Sequence, residues 1–292
     1  MSLFLSVLEQ GLIYAILALG VYITFKILDF PDMSVDATFP LGAAVTALMI
    51  EKGFSPLLAL PVSVCCGALA GAMTGIIHVK FRVRDLLSGI IMMTGLYSVN
   101  LHIAGRANVQ LFTFDTLFKN PYIAALPKGV QPYAPVVILL VLTLVVKLLM
   151  DAYLATRSGF LLRATGDNPT LVASLAKDSG KVKILGLAIA NGLVALAGSV
   201  MCQYQRYFDI SMGTGTLVLA VASVIVGMQL LRGMRFLGAT LCVVLGSILY
   251  KGCVAIALSM GLSPFDLKLV TAVLLLIIIV AGGYRKKVKH RA

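Results

Sequence analysis

Charge is scarce in this chain. Only 12% of its 292 residues are Asp, Glu, Lys or Arg, about half the usual share of a soluble domain. Acidic residues are the scarcer sign, 12 against 24 Lys and Arg, for a net charge of +12. Apolar residues make up 60% and the mean hydropathy is +1.00. These figures exclude an ordinary soluble domain and point to a polytopic helical membrane protein. No GxxxxGK[ST] phosphate loop occurs, so the chain does not hydrolyse ATP by that route. No HExxH or GxSxG occurs either, which argues against an intramembrane enzyme. The five cysteines (Cys65, Cys66, Cys202, Cys242, Cys253) lie in apolar runs without CxxC or His spacing and read as packing residues, so no metal site is expected. The first ten residues, MSLFLSVLEQ, lack the basic start of a cleavable signal.

What is present is apolar length. Stretches run at 5–28, 39–50, 57–81, 86–104, 134–151, 184–203, 214–231, 236–260 and 267–283. A span needs about 20 apolar residues. Eight stretches qualify; 39–50 is too short and reads as a half-helix or re-entrant piece. The sequence therefore predicts one all-α transmembrane domain, 1–292, of about 8–9 helices. Its basic residues sit in short connections and the tail, which reads as orientation rather than nucleic-acid binding. Arg285, Lys286, Lys287, Lys289 and Arg291 put the C-terminus in the cytoplasm. Alternate crossings then put 157–183, Arg232/Arg235 and Lys80/Arg82/Arg84 inside and 105–133 outside. The N-terminus lies outside if 39–50 spans, and inside if that piece is re-entrant. The exterior loop, with Phe112, Phe114, Phe118, Pro121 and Tyr122, is either a partner dock or an interfacial aromatic belt.

A short motif recurs. Asp32-Met33-Ser34 is echoed by Asp209-Ile210-Ser211, each after an apolar stretch and before a small-residue-rich one. Matching breaks in two halves are the sequence pointer to a transport site. Unpaired backbone at membrane depth must face protein or a water-lined cavity, and embedded carboxylates default to function. Asp32, Asp36 and Asp209 thus read as lining a central pathway, with Ser34, Thr38 and Ser211 as neutral hydrogen-bonding groups. The competing reading makes them helix caps at the water interface. Asn191, and Asn100 one turn from Tyr97, offer interhelical hydrogen bonds or substrate contacts. Gly67, Gly71 and Gly75 mark close helix packing, within the subunit or between two copies. His78 and His102 read as interfacial groups, not ligands.

Between two apolar runs lies a polar insert, 157–183. It reads as a turn at Gly166-Asp167-Asn168-Pro169 followed by a short helix that ends at Gly180. Leu171, Val172, Leu175 and Ala176 would form its apolar face, suited to headgroups or to a groove in a soluble partner.

Several segments together resemble a family. The pattern Gly159, Arg163, Ala164, Gly166, Asn168, Pro169, Ala173, Gly180, Lys183, then Ile189 to Leu193 and Ala195 to Gly198, looks like the membrane permeases of ABC importers in the branched-chain amino acid/ribose class. Phe30 to Ala43 looks like that class's Phe-Asp-x-Ser-Val-Gly element, and Val224 to Gly238 like its later Gly-rich element. The resemblance covers about Gly11 to Tyr284. One departure is Asp36-Ala37, where sugar permeases of the class carry glycine. This variant is similar to a bacterial subgroup grouped with tryptophan or other amino-acid uptake.

The resemblance implies a multi-pass permease in the bacterial cytoplasmic membrane. It implies a homodimer with a central path, two ATPase subunits inside and a binding protein or lipoprotein outside. ATP and Mg would sit on the ATPase; this chain would hold no cofactor and catalyse nothing. The helix after Asn168-Pro169 would be the coupling helix, with Arg163, Leu171 and Leu175 as contacts. The rival is a secondary transporter coupled to H+ or Na+ through Asp32 and Asp209.

Overall fold

The computed structural model describes residues 2–127, 129–168, 172, 178–231, 238–259, 269, 272, 273 and 276. Helix α1 (Ser2–Val21) continues through a π-helical turn, Tyr22–Ile27. Then come α2 (Val35–Glu51), α3 (Pro56–Lys80) and α4 (Asp85–Ala104). A loop holds β1 (Asn108–Gln110) and the short α5 (Pro121–Ala124), and leads to α6 (Ala134–Leu154) and α7 (Arg157–Asp167). The long α8 (Ser179–Gln205) precedes β2 (Tyr207–Asp209), a 3-10 turn at Ile210–Gly213, α9 (Thr216–Leu230) and α10 (Ala239–Ser259). Among the described residues, seven segments are long and apolar enough to cross a membrane: Phe4–Ile27, Pro56–Lys80, Asp85–Ala104, Gln131–Leu154, Ser179–Gln205, Ile210–Leu230 and Ala239–Ala257. The apolar stretch 267–283 falls largely outside the described residues.

Side-chain contacts fix two opposite faces. One carries the antiparallel β1–β2 pair and the Arg106–Glu51 ion pair, and is called the loop face. The other carries α7 and the turn 81–84, and is called the insert face. Tyr204, near the loop-face end of α8, donates to Glu9 Oε2 at 2.7 Å. At its other end, Gly166 of α7 lies against the carbonyl of Ile27. So α1 runs from the loop face to the insert face, and the chain start shares the side of the loop 105–133.

The short apolar piece is a half-helix with wider bounds than its apolar run suggests. α2 has 17 residues, or about 25 Å of rise. It starts beside the middle of α8 and rises to the loop face. Its polar first turn, Val35 to Thr38, hides the true start from a count of apolar residues.

α8 is the central post of the bundle, packed by α3, α2 and α1. The glycine series settles within the chain. A Cβ on Gly67 would lie 2.5 Å from the carbonyl oxygen of Asn191, and one on Gly71 2.2 Å from that of Leu187. Small residues let two backbones close to dispersion distance, which is how helices associate where lipid is as apolar as leucine.

The insert differs from the expected turn-then-helix. Gly166 and Asp167 are the last turn of α7, not a loop. Thr156 starts that helix by accepting from Gly159 N–H at 3.3 Å. Gly159, Leu162 and Thr165 form its buried side, a spacing of three that the flanking Arg157 and Arg163 obscured. Asn168 closes the helix, donating its N–H to Ala164 O at 2.9 Å. Gly180 ends nothing; it is the second residue of α8, whose N-cap is Asp178. Pro169, Leu171 and Leu175 lie outside the described residues.

Candidate functional site

The break between α1 and α2 is a polar joint. Ser34 donates twice to Asp32 Oδ1, from its N–H at 2.9 Å and from its hydroxyl at 2.6 Å. Asn191 Nδ2 donates to Asp32 Oδ2 at 2.7 Å and to Leu187 O at 3.1 Å. Thr38 donates to Ser34 O at 3.0 Å. Asn191 sits half-way along α8, so this carboxylate lies at the mid-depth of the bundle. Asp32 is 1% exposed, and Ser34, Thr38 and Asn191 are sealed completely. Among the described residues no Lys or Arg stands within ion-pair distance of Asp32. Its oxygens are met by hydrogen bonds and by the positive end of the α2 dipole.

Two residues of α4 brace this joint. Gly89 passes so close that a Cβ would lie 2.7 Å from Met33 N and 3.3 Å from Asp32 Oδ1. Asn100 Nδ2 donates to Ala37 O at 2.9 Å, while its fully buried Oδ1 has no hydrogen-bond partner among the described residues.

The second Asp-x-Ser repeats the first in detail. Asp209 Oδ1 accepts from Ser211 N–H at 2.8 Å and from the Ser211 hydroxyl. The setting differs: Ser211 is exposed on the loop face, in the 3-10 turn that follows β2. The hydroxyl of Ser211, partly opposed by burial and aided by its N–H and by Asn108, holds the Asp209 carboxyl below the ordinary carboxylate range. Asp36 belongs to neither pair. It caps α9, accepting from Gly215 N–H at 3.0 Å, Leu217 N–H at 2.8 Å and the Thr216 hydroxyl at 3.1 Å. Of the eight residues singled out, five thus meet in or beside the joint, one ties the joint's helix to α9, and two lie apart on the loop face.

Sequence reasoning missed a hydroxyl cluster above the joint. Thr46 lies 2.6 Å from Ser199 and 3.1 Å from Ser63, oxygen to oxygen, linking α2, α8 and α3. The signal was a small hydroxyl within each of three apolar runs, Thr46, Ser63 and Ser199. The loop face is braced by Gln203, which accepts from Leu117 N–H at 3.1 Å and donates to Pro56 O at 3.0 Å. Of the loop aromatics, Phe118 packs edge-on against Tyr204 at 5.8 Å, whereas Phe112 is 54% exposed beneath the guanidinium of Arg206.

Two helices present mostly outward faces, and these differ. On α6 the exposed residues include Val137, Leu140, Val141, Leu144, Val145, Leu148 and Leu149, a surface fit for lipid tails. On α4, above Ile91, they are Thr94, Gly95, Tyr97, Ser98, Val99 and His102. On the insert face, Arg163 of α7 is exposed.

A family model described as branched-chain amino acid transport system / permease component matches residues 3–281. A tyrosine transport system permease protein of Clostridioides difficile (strain R20291) is 42% identical over 289 residues, 99% of this chain and 94% of the relative. An uncharacterized protein of Rickettsia prowazekii (strain Madrid E) is 32% identical, covering 95% and 96%. A galactofuranose transporter permease of Escherichia coli (strain K12) is 26% identical, covering 96% and 80%.

Proposed function

Because this chain belongs to the branched-chain amino acid permease family of ABC-type transport systems, we propose that it is the membrane subunit of an amino-acid importer. A tyrosine permease is among its relatives, and aromatic or branched-chain amino acids are the substrate class we infer. The observation that carries the path is the polarity of the loop-face half of α4, above Ile91. A helix whose outward face bears Thr94, Ser98 and His102 is costly against lipid and suited to water or a second polar surface. Two copies meeting through α4 would enclose a path between them. Asp32, Ser34, Thr38, Asn100 and Asn191 then stand one layer behind its wall, where Gly89 and Asn100 transmit shifts of α4 to the joint. Asp36 ties that joint to α9, and Asp209 and Ser211 sit at the mouth.

The insert face carries Lys80, Arg82, Arg84, Arg157 and Arg163, so by the positive-inside rule it is cytoplasmic, as is the C-terminus. There α7, with Arg163 exposed and Gly166 against Ile27, forms a rigid handle for a separate ATPase. Asn168, Pro169, Leu171, Leu175 and Gly180 are the further residues we assign to ATPase coupling. ATP and Mg belong to that subunit, and a binding protein delivers solute to the loop face.

The test is co-purification and reconstitution of this chain with its genomic neighbours. An ATPase subunit is expected in stoichiometric yield, lost in Leu171→Asp and weakened in Arg163→Glu, together with ATP-dependent uptake of a labelled amino acid. A lone chain whose uptake collapses with the proton gradient would overturn the proposal in favour of an ion-coupled carrier.

A further inference from the structure

The insert face carries a second feature beside the handle. α3 ends and α4 begins around the turn 81–84, and the start of α8 stands against it. Between them lies a cleft of about 590 Å3, whose charged and titratable lining is His78, Arg82, Arg84, Asp85, Asp178 and Lys183. Arg82 takes a left-handed backbone, φ 55, uncommon for a side chain that long. That bend brings Val83 O to 2.9 Å from His78 Nδ1. With Nδ1 donating there, Nε2 is an acceptor, and Lys183 Nζ donates to it at 3.3 Å. Lys183 is thereby held over the cleft.

Three cations face two carboxylates in this lining, leaving one net positive charge. Asp178 is already engaged at the head of α8, accepting from Gly180 N–H at 3.0 Å and Lys181 N–H at 3.3 Å. Among the described residues Arg82, Arg84 and Lys183 have no carboxylate within ion-pair distance. The uncapped N-terminus of α4 adds partial positive charge to the same wall.

We propose that this cleft binds the phosphate of an anionic phospholipid. It opens where three spans end, the level at which headgroups lie, and basic pockets between helices at that level select acidic lipid. Phe81, the residue before the lining residue Arg82, is 72% exposed. An exposed phenyl ring beside the basic lining suits an acyl chain and serves no purpose for a free phosphate. The chain's own tail is excluded by charge, since Arg285 to Arg291 is basic. Occupancy bears on the transport joint, because the His78 ring stands edge-on against Phe30 at 5.1 Å, two residues before Asp32.

The test uses the full chain in nanodiscs of phosphatidylcholine with phosphatidylglycerol, released into native mass spectrometry. The wild type should retain phosphatidylglycerol over phosphatidylcholine. The double variant Arg82→Gln/Lys183→Gln should lose that preference by about thirtyfold, the effect of two basic groups at a membrane surface. Lys183→Arg should keep it, which separates lost binding from misfolding. Equal retention of both lipids, or unchanged retention in the double variant, would overturn the proposal. Competition by inorganic phosphate without lipid preference would assign the cleft to free phosphate instead. If the double variant sheds an ATPase subunit yet keeps its lipid, the cleft is a protein dock and the proposal fails, while the importer reading stands.

Discussion

Replacing Asp36 separates a capping carboxylate from one that meets solute. In the structure its two oxygens take Gly215 N–H, Leu217 N–H and the Thr216 hydroxyl. Asp36→Ala removes all three acceptor contacts and the charge at the start of α9. Losing an N-cap costs about 0.5–2 kcal/mol, and hydrogen bonds to a charged group add about 1.5–3 kcal/mol each when buried. Gly215 is exposed, so water replaces part of this, and a total of about 2–3 kcal/mol is expected once solvent competition is counted. Asp36→Asn keeps one carbonyl for Leu217 and Thr216 and should cost about 1 kcal/mol. At about 2 °C per kcal/mol for a chain of this size, the Tm should fall by about 5 °C and about 2 °C respectively. A thiol-reactive dye suits the measurement, because Cys202 and Cys242 are buried and react on unfolding. If both variants melt with the wild type yet transport fails, Asp36 is not a structural cap and its carboxylate serves the path.

Asp32→Ala should reduce the yield of monodisperse protein sharply, by about 3 kcal/mol or more of stability, since buried donors on Ser34 and Asn191 lose their acceptor; a normal elution profile and Tm would refute the joint. Gly42→Leu should prevent folding, as even a Cβ there would lie 1.9 Å from Ala195 O, whereas Gly95→Ala meets nothing within 4 Å and should leave the Tm unchanged; equal behaviour of the two would contradict the α2–α8 contact. With the native cysteines replaced, Ser98→Cys on α4 should react with a membrane-impermeant maleimide and Leu144→Cys on α6 should not, because thiolate forms where water reaches; the reverse order would remove α4 from the path. The Asp209–Ser211 turn should loosen only in acid: a carboxyl held below its ordinary range contributes stability above its unfolded value and loses it as pH falls through the folded value. Proton exchange at the Ser211 amide, followed from pH 7 downward, measures this; protection that rises in acid would refute it.

The joint shows where legibility stopped. Asp32, Ser34 and Asn191 were each visible as polar residues in apolar surroundings, yet nothing in the sequence said that Asn191, 159 residues from Asp32, would donate to it. The Asp-x-Ser echo was legible as a motif and holds as a local turn, because an aspartate bonding its own backbone two residues on is a short-range event. That one copy is sealed and the other wet could not be read, since burial depends on what packs across. The insert was misread for a related reason. Its helix shows a buried side only against α1, α6 and α8, so Arg157 and Arg163 dominated a pattern whose apolar positions are few.

The sequence by itself determined the class, seven of the eight expected spans and the family. Those follow from apolar length, from the scarcity of charge and from local motifs, all properties of contiguous residues. Tertiary structure alone decided the rest. It placed the glycine series of α3 against α8, turned Asp36 into a cap for α9, set a polar face outward on α4, and closed a basic cleft from two chain segments about a hundred residues apart. Each of these is a contact between distant segments, and contacts of that kind exist only once packing has chosen which faces meet.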